Sequence, residues 1–256
     1  MSRRIKPMKT KTEGLIIKHQ NIGEQDKLVT VLTKDLGVIR AFVRGAKNIR
    51  SPKSAATGLL CYSSLSLYQN KEKYIIDDAS VTEMFFDLRK DVVKSSLAQY
   101  FCELAAYICP EGQNASPQLS LILNALYLLA KGTKPEALIK ACVELRLCAL
   151  SGYMPDLIMC KGCGAYEKES MFFSLSSGSL KCSDCFMKKP SPSALEINLS
   201  LVHALRHIVF SEDKKVFAFS LPEELLEKLS YITESYTGKI LERDLKTLHF
   251  YKTIKS

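Results

Sequence analysis

The chain has 256 residues, of which 46% are hydrophobic and 25% charged, a balance that suits a globular protein with a core of its own and excludes a disordered chain. Its longest apolar run, Leu121 to Ala130, is interrupted by Asn124 and falls short of the ~20 residues of a membrane span, so no membrane partner is expected. The net charge of +9 is concentrated: the first 55 residues hold 13 lysines and arginines against four acidic residues, and the other 201 carry 23 of each sign.

A positive field gathered at one end attracts a polyanion by releasing its condensed counterions, which makes nucleic acid the first candidate partner. The bland alternative is a solvated lysine-rich face. The start, MSRRIKPMKTK, is basic and lacks the apolar stretch of a secretory signal, so residues 1–11 read as a disordered arm. Nine cysteines, an odd number, point to a reducing compartment and not to a disulfide framework, and the expected location is the cytoplasm.

From residue 14 to about 82 the pattern is of short strands separated by turns: Gly14–His19, Asp26–Thr33, Gly37–Arg44, Ser64–Gln69 and Lys73–Thr82. Asn21 and Gly23, the run Lys34 to Gly37, the long Gly45–Gly58 loop and Asn70 supply the turns. Five short strands fit a small closed barrel of the OB type over residues 12–82, because closure leaves no long edge exposed. The period then turns helical. Helices are expected from about Leu97 to Ile108, after Pro117, and from Pro135 to Gly152, then at about 193–210, 222–237 and 240–253. The fold class is therefore α+β: an N-terminal five-stranded OB-fold barrel, then an all-helical domain over 83–256 with a small zinc-ribbon insert at 158–188.

That insert is bounded by two Cys-x-x-Cys knuckles, Cys160 with Cys163 and Cys182 with Cys185, separated by 18 residues. Two such knuckles complete a closed tetrahedral thiolate site, which predicts one structural zinc ion; redox use of either pair is the rival reading. Phe172 to Ser179 reads as a hairpin between them. Four thiolates leave no open position for water, and none of the four histidines stands two places before a glutamate, so a catalytic zinc is not expected. His203 and His207 are four apart on a helix, but Ala204 occupies the place where a metalloprotease carries its glutamate. Cys61, Cys102, Cys109, Cys142 and Cys148 lie among apolar neighbours and read as core residues.

Side chains alternate along a strand, so Ile39, Ala41 and Val43 form a face that fills a barrel, while Val38, Arg40, Phe42 and Arg44 point outward. An aromatic ring between two guanidinium groups offers a stacking platform beside phosphate contacts, as a reader of single strands requires. Lys47, Arg50 and Lys53 in the following loop extend the set. The candidate DNA-binding residues are thus Arg40, Phe42, Arg44, Lys47, Arg50 and Lys53. A bulge that moved Phe42 into the core would undo this reading. No phosphate-binding Gly-x-x-x-x-Gly-Lys-Ser/Thr, no Gly-x-Gly-x-x-Gly and no Gly-x-Ser-x-Gly elbow occurs, so the chain does not read as an enzyme.

Several stretches resemble the bacterial RecO family of recombination mediators: Thr12 to Ile17, Gly23 to Thr30, Leu36-Gly37, Arg44 to Lys47, Glu144 to Leu147, Gly152 to Pro155, the cysteine quartet with Phe173-Ser174 inside it, and Leu241 to Tyr251. The resemblance implies an OB barrel, a helical domain and, in many members, zinc. It also implies binding of single- and double-stranded DNA, annealing of complementary strands without ATP, and a place in the bacterial cytoplasm with the nucleoid. Partners implied are RecR, with which such proteins help load RecA onto DNA covered by single-strand-binding protein (SSB), and the acidic C-terminal tail of SSB. Lys140 or Arg146, on the helix before Gly152, would help receive that tail. Two alternatives stay open at this point: a zinc-ribbon RNA-binding or transcription-associated factor, and an interaction protein whose basic start is incidental.

Overall fold

The computed structural model describes residues 9–48, 51–70 and 73–255. Five strands, β1 (Lys9–Ile22), β2 (Asp26–Thr33), β3 (Gly37–Val43), β4 (Cys61–Asn70) and β5 (Lys73–Met84), close into a barrel in the order β1-β2-β3-β5-β4, with β1 also pairing β4. All neighbours are antiparallel except β3 and β5, which are parallel. This is the expected OB-type barrel. Residues 9–11, expected to belong to a basic arm, open β1; the rest of that arm lies outside the described residues.

The barrel is filled from alternate positions: Ile16, Val29, Val31, Ile39, Ala41, Val43, Leu65, Leu67 and Ile76 are buried together. The connection after β3, expected to be loop throughout, contains a short helix, α1 (Pro52–Ala56), that packs against β4 and β5. Ser51 precedes it and Pro52 opens it, a helix-start signal that its surroundings mask in the sequence. Ala56 joins the barrel core, and its carbonyl accepts from the Ser63 hydroxyl at 2.8 Å.

Helices α2 (Val92–Ile108), α3 (Ser116–Lys131), α4 (Glu136–Leu150), α6 (Leu199–Phe210), α7 (Glu223–Leu241) and α8 (Lys246–Lys255) carry the remaining apolar stripes. Between α4 and α6 lie β6 (Ser170–Ser174), β7 (Ser179–Cys182), α5 (Ser183–Lys188) and β8 (Ala194–Asn198). The expected hairpin is β6–β7. Residues 194–198, expected to be helical, instead form β8 on the other edge of β6, and Asn198 then caps α6 by accepting from the Leu201 amide. Helix α7 runs through Gly238 to Leu241 and ends at Glu242, whose φ of 50° breaks the helix, so α8 starts later than expected. Among the described residues no helix is long and apolar enough to cross a membrane.

Two compact units result. One holds the chain up to Lys131 and again from Leu245; the other is Gly132–Asp244. The division does not follow the change from strands to helices near residue 82, and the reason is burial. Leu15, Leu32 and Val38 pair across β1, β2 and β3, so they share the barrel's outward face, yet all three are buried where α2 and α3 pack over β1 and β2. The α2–α3 connection adds a ladder to the β2–β3 turn: Val38 N–H donates to the Pro110 carbonyl at 2.8 Å, Gly112 N–H to Leu36 at 3.0 Å and Ala115 N–H to Lys34 at 2.9 Å. Gly37 makes this approach possible. Its φ is 65°, and a Cβ there would collide with the Pro110 carbonyl.

Candidate nucleic-acid interface and metal centre

Strand β3 pairs with β2 without a break in register, so its alternation is undisturbed. Ile39, Ala41 and Val43 face the core, Arg40 and Arg44 are exposed, and Phe42 is half-buried on the outward face. Residues directly opposite one another on paired strands share a face. Phe42 therefore lies in an outward row with Gln20, Leu28, Ile75 and Tyr68, and the Lys73 ammonium stands 5.8 Å from its ring centre. The next row holds Lys18, Thr30 and Arg40. Lys18 was not singled out from the sequence, and strict alternation hides it. Ile16 faces inward, and Lys18, two places on, reaches the outward face only because β1 bulges between them. Among the described residues neither Lys18 nor Arg40 has an ion-pair partner.

The other candidate cations have different environments. The Lys47 ammonium donates to the Gly23 carbonyl at 2.7 Å and pins the β1–β2 turn. Lys53 is on α1, where its charge reaches Asp77; that carboxylate is already held below its ordinary pKa by its 2.8 Å hydrogen bond and ion pair with Lys9. Arg50 lies outside the described residues. The barrel thus brings Arg40 and Phe42 to its outward face, leaves Arg44 exposed in the turn that follows β3, and engages Lys47 with the Gly23 carbonyl.

In the second unit the four cysteine thiols converge, all sulfurs lying within 4.8 Å of one another. Cys160 Sγ is 3.8 Å and Cys163 Sγ 3.7 Å from Cys182 Sγ. A tetrahedron with metal–sulfur bonds of about 2.3 Å places its sulfurs about 3.8 Å apart, so the donor set fits a metal ion of zinc's size and preference. The backbone is shaped to the same end. Cys182 ends β7 and Cys185 lies in the first turn of α5, while Gly164 (φ 74°) turns the first knuckle. A Cβ on Gly162 would press on Cys185 Sγ. Burial opposes ionisation of Cys160, but the amides of Cys182 and Gly162 (3.2 and 3.3 Å) outweigh it and bring the thiol down to about 6. The five other cysteines are buried, and burial pushes Cys102, Cys109 and Cys148 up to about 12, as core thiols require.

The first knuckle hangs on one residue that sequence reading passed over. Arg206, buried on α6, donates from Nε to the Leu157 carbonyl (2.8 Å), from one terminal nitrogen to the carbonyls of Ile158 (2.9 Å) and Tyr166 (2.7 Å), and from the other to Glu167 (3.1 Å). Its guanidinium also lies 4.0 Å from the Tyr166 ring centre. The chain entering the knuckle and the chain leaving it are thereby tied to one helix.

Lys140 and Arg146, expected to help receive an acidic tail, are both committed to the fold. The Lys140 ammonium is buried between Glu144 (2.8 Å) and Glu234 (2.9 Å). Arg146 donates to the carbonyls of Ile208, Val209 and Ser211 at the end of α6 and pairs with Asp213 at 2.7 Å. Both replace solvent with internal partners because the apolar α4 is enclosed by α6 and α7. His203 and His207 have separate partners, Glu167 and the Lys215 carbonyl, as ordinary helix residues do.

The family model described as Recombination protein O N terminal matches residues 8–85, and that described as Recombination protein O C terminal matches residues 89–249. Among curated relatives, the DNA repair protein RecO of Acetivibrio thermocellus is 34% identical over 244 residues, covering 95% of this chain and 96% of that protein. RecO of Caldicellulosiruptor bescii is 31% identical over 245 residues, 96% and 98% of the two chains. RecO of Dehalococcoides mccartyi is 28% identical over 251 residues, 98% of each. The barrel, helices α2 to α7 and the cysteine cluster fall inside the matched residues, which end within α8. The chain belongs to the RecO family of DNA repair proteins.

Proposed function

We propose that this protein binds single- and double-stranded DNA through the outward face of its barrel, anneals complementary strands, and with RecR promotes loading of RecA onto SSB-coated single-stranded DNA. The observation that carries the reading is the row of unpaired cations, Lys18 and Arg40, beside the outward Phe42 row on a barrel of a RecO-family chain. Cations on that face meet phosphates, and Phe42 offers its ring to a base. Two strands whose charge is partly neutralised repel less and can pair, and nothing in such a step needs nucleotide hydrolysis. The protein acts as a mediator and not as an enzyme. Binding the SSB tail would hold the protein on covered DNA and raise the local concentration of barrel and strand for each other. Cys160, Cys163, Cys182 and Cys185 hold one structural zinc ion in this reading, which fastens the β6–β7–β8 sheet and leaves no coordination position for chemistry.

The test is annealing of complementary oligonucleotides coated with SSB, without ATP, at near-physiological salt. Acceleration of coated strands is expected. Acceleration of naked strands alone would remove the SSB contact from the reading, and no acceleration with tight RNA binding would replace DNA by RNA as the polymer.

A further inference from the structure

A cleft of about 410 Å³ opens in the first unit where the outward face of β1–β3 passes under α2 and α8. Its size is that of a small-ligand site, about 300 to 1,000 Å³. Lys18, Thr30 and Arg40 form the strand wall. Glu103, Tyr107 and Glu111 form the opposite wall, with the buried Cys102, Val38 and Ile17 below. The walls therefore carry opposite charge. Glu103 is spent on the start of α8, accepting from the Thr247 amide at 3.0 Å and from its hydroxyl. Glu111 is exposed at the margin, and the Tyr107 ring is about half exposed there.

A ligand for this cleft has an anionic end and, one ring away, a neutral flat end with hydrogen-bond donors. A nucleotide has that polarity. Its phosphate would meet Lys18 and Arg40, its base would lie along Tyr107, and an exocyclic amino group would donate to Glu111. An acidic peptide does not fit, because its side chains would face Glu103 and Glu111. The cleft also lies on the path of a bound strand. The Lys18–Thr30–Arg40 row that forms its wall is the neighbour of the Phe42 row, two residues along the same strand and so about 7 Å away. We propose that this cleft receives one base of the single strand bound on the barrel, turned in from the backbone while the neighbouring base stacks on Phe42. The inference rests on the barrel's binding DNA, as proposed above.

The experiment compares two hexamers by fluorescence anisotropy at low salt: hexadeoxycytidylate, and a hexamer of abasic units with the same phosphates. The wild-type protein is expected to favour the base-bearing hexamer at least tenfold. Ala106→Trp, which fills the cleft from a half-buried position on α2, is expected to lose most of that preference while its affinity for the abasic hexamer stays within about twofold, since base stacking and phosphate contact contribute separately. Tyr107→Ala, at a half-exposed position, is expected to lose several-fold of the preference. If both variants keep the full wild-type preference, bases are read elsewhere and the proposal falls. Tight abasic binding with no preference in the wild type also overturns it, yet leaves DNA binding intact. Failure of both hexamers to bind ends the DNA reading itself. Hexaglutamate displacing the base-bearing hexamer more readily than it displaces the abasic one would make the cleft a peptide site.

Discussion

Arg206→Ala tests whether the knuckle is held by its buried guanidinium. Three backbone carbonyls and one carboxylate lose their donor together. The carbonyls of Ile158 and Tyr166 belong to exposed residues and regain water, but Leu157 is fully buried and its carbonyl stays dry. One buried acceptor without a partner costs about 1–3 kcal/mol. Loss of the cation over the Tyr166 ring adds about 0.5–1 kcal/mol. Relief of the charge's own desolvation offsets part of this, so a destabilisation of about 2–3 kcal/mol is expected for the unit Gly132–Asp244. Urea unfolding followed by circular dichroism reads the stability; fluorescence would rest on tyrosine, since the chain has no tryptophan. With zinc in the cysteine quartet, as proposed, metal release to a chromogenic chelator reads the site, and the variant should lose metal at least tenfold faster. Arg206→Lys should recover little, because one ammonium cannot span both chain segments. An Arg206→Ala protein with unchanged midpoint and unchanged metal release would refute the reasoning.

Arg40→Ala with Arg44→Ala should flatten the dependence of log K for single-stranded DNA on log salt by about 1.4, at about 0.7 per phosphate contact, whereas Lys47→Ala should leave that slope nearly unchanged; an equal effect of all three would show that the Lys47–Gly23 bond opens on binding. Lys140→Met leaves Glu144 buried without its cation and should cost about 3–5 kcal/mol by chemical denaturation, with Glu144→Leu added on top restoring part of it. The same group predicts an alkaline limit. Burial lowers the Lys140 pKa, but Glu144 and Glu234 outweigh burial and raise it above 10.5, so its contribution is complete below that pH and is lost as pH climbs through the higher folded value. Gly37→Ala should destabilise the first unit by about 2 kcal/mol or more, combining a left-handed backbone with the clash against Pro110, and a thermal melt within a degree of wild type would contradict it.

The sequence was most legible where one periodicity and one chemistry coincide. Period-two alternation in Gly37–Val43 located the barrel face, and the spacing of Cys160, Cys163, Cys182 and Cys185 anticipated their convergence, because a knuckle is a local geometry. What escaped was set by tertiary partners. The segment Ala194–Asn198 is a strand only because β6 offers an edge, and Lys18 turns outward only because β1 bulges against β2. The grouping of α2, α3 and α8 with the barrel depends on Leu15, Leu32 and Val38, whose outward direction was readable but whose cover was not. The Ser51-Pro52 pair is a helix-start signal, but it sits among turn-forming residues that give no apolar period to support it.

The cations show the general form of this difference. Net charge counts Lys47, Lys140, Arg146 and Arg206 alongside Lys18, Arg40 and Arg44, but the first four spend their donors inside the protein. A buried ammonium or guanidinium that bridges carbonyls or carboxylates has already exchanged its hydration for fixed partners, and meeting a phosphate would mean breaking those bonds. Lys18, Arg40 and Arg44 have made no such exchange, so in the proposed DNA complex only a counterion atmosphere would have to leave when a strand arrives. Removing Arg40 or Arg44 should therefore change DNA affinity and leave stability alone, and removing Lys140, Arg146 or Arg206 should do the reverse. If the two sets proved interchangeable in those assays, burial and hydrogen bonding would not be what separates a cation that serves the fold from one that serves the ligand.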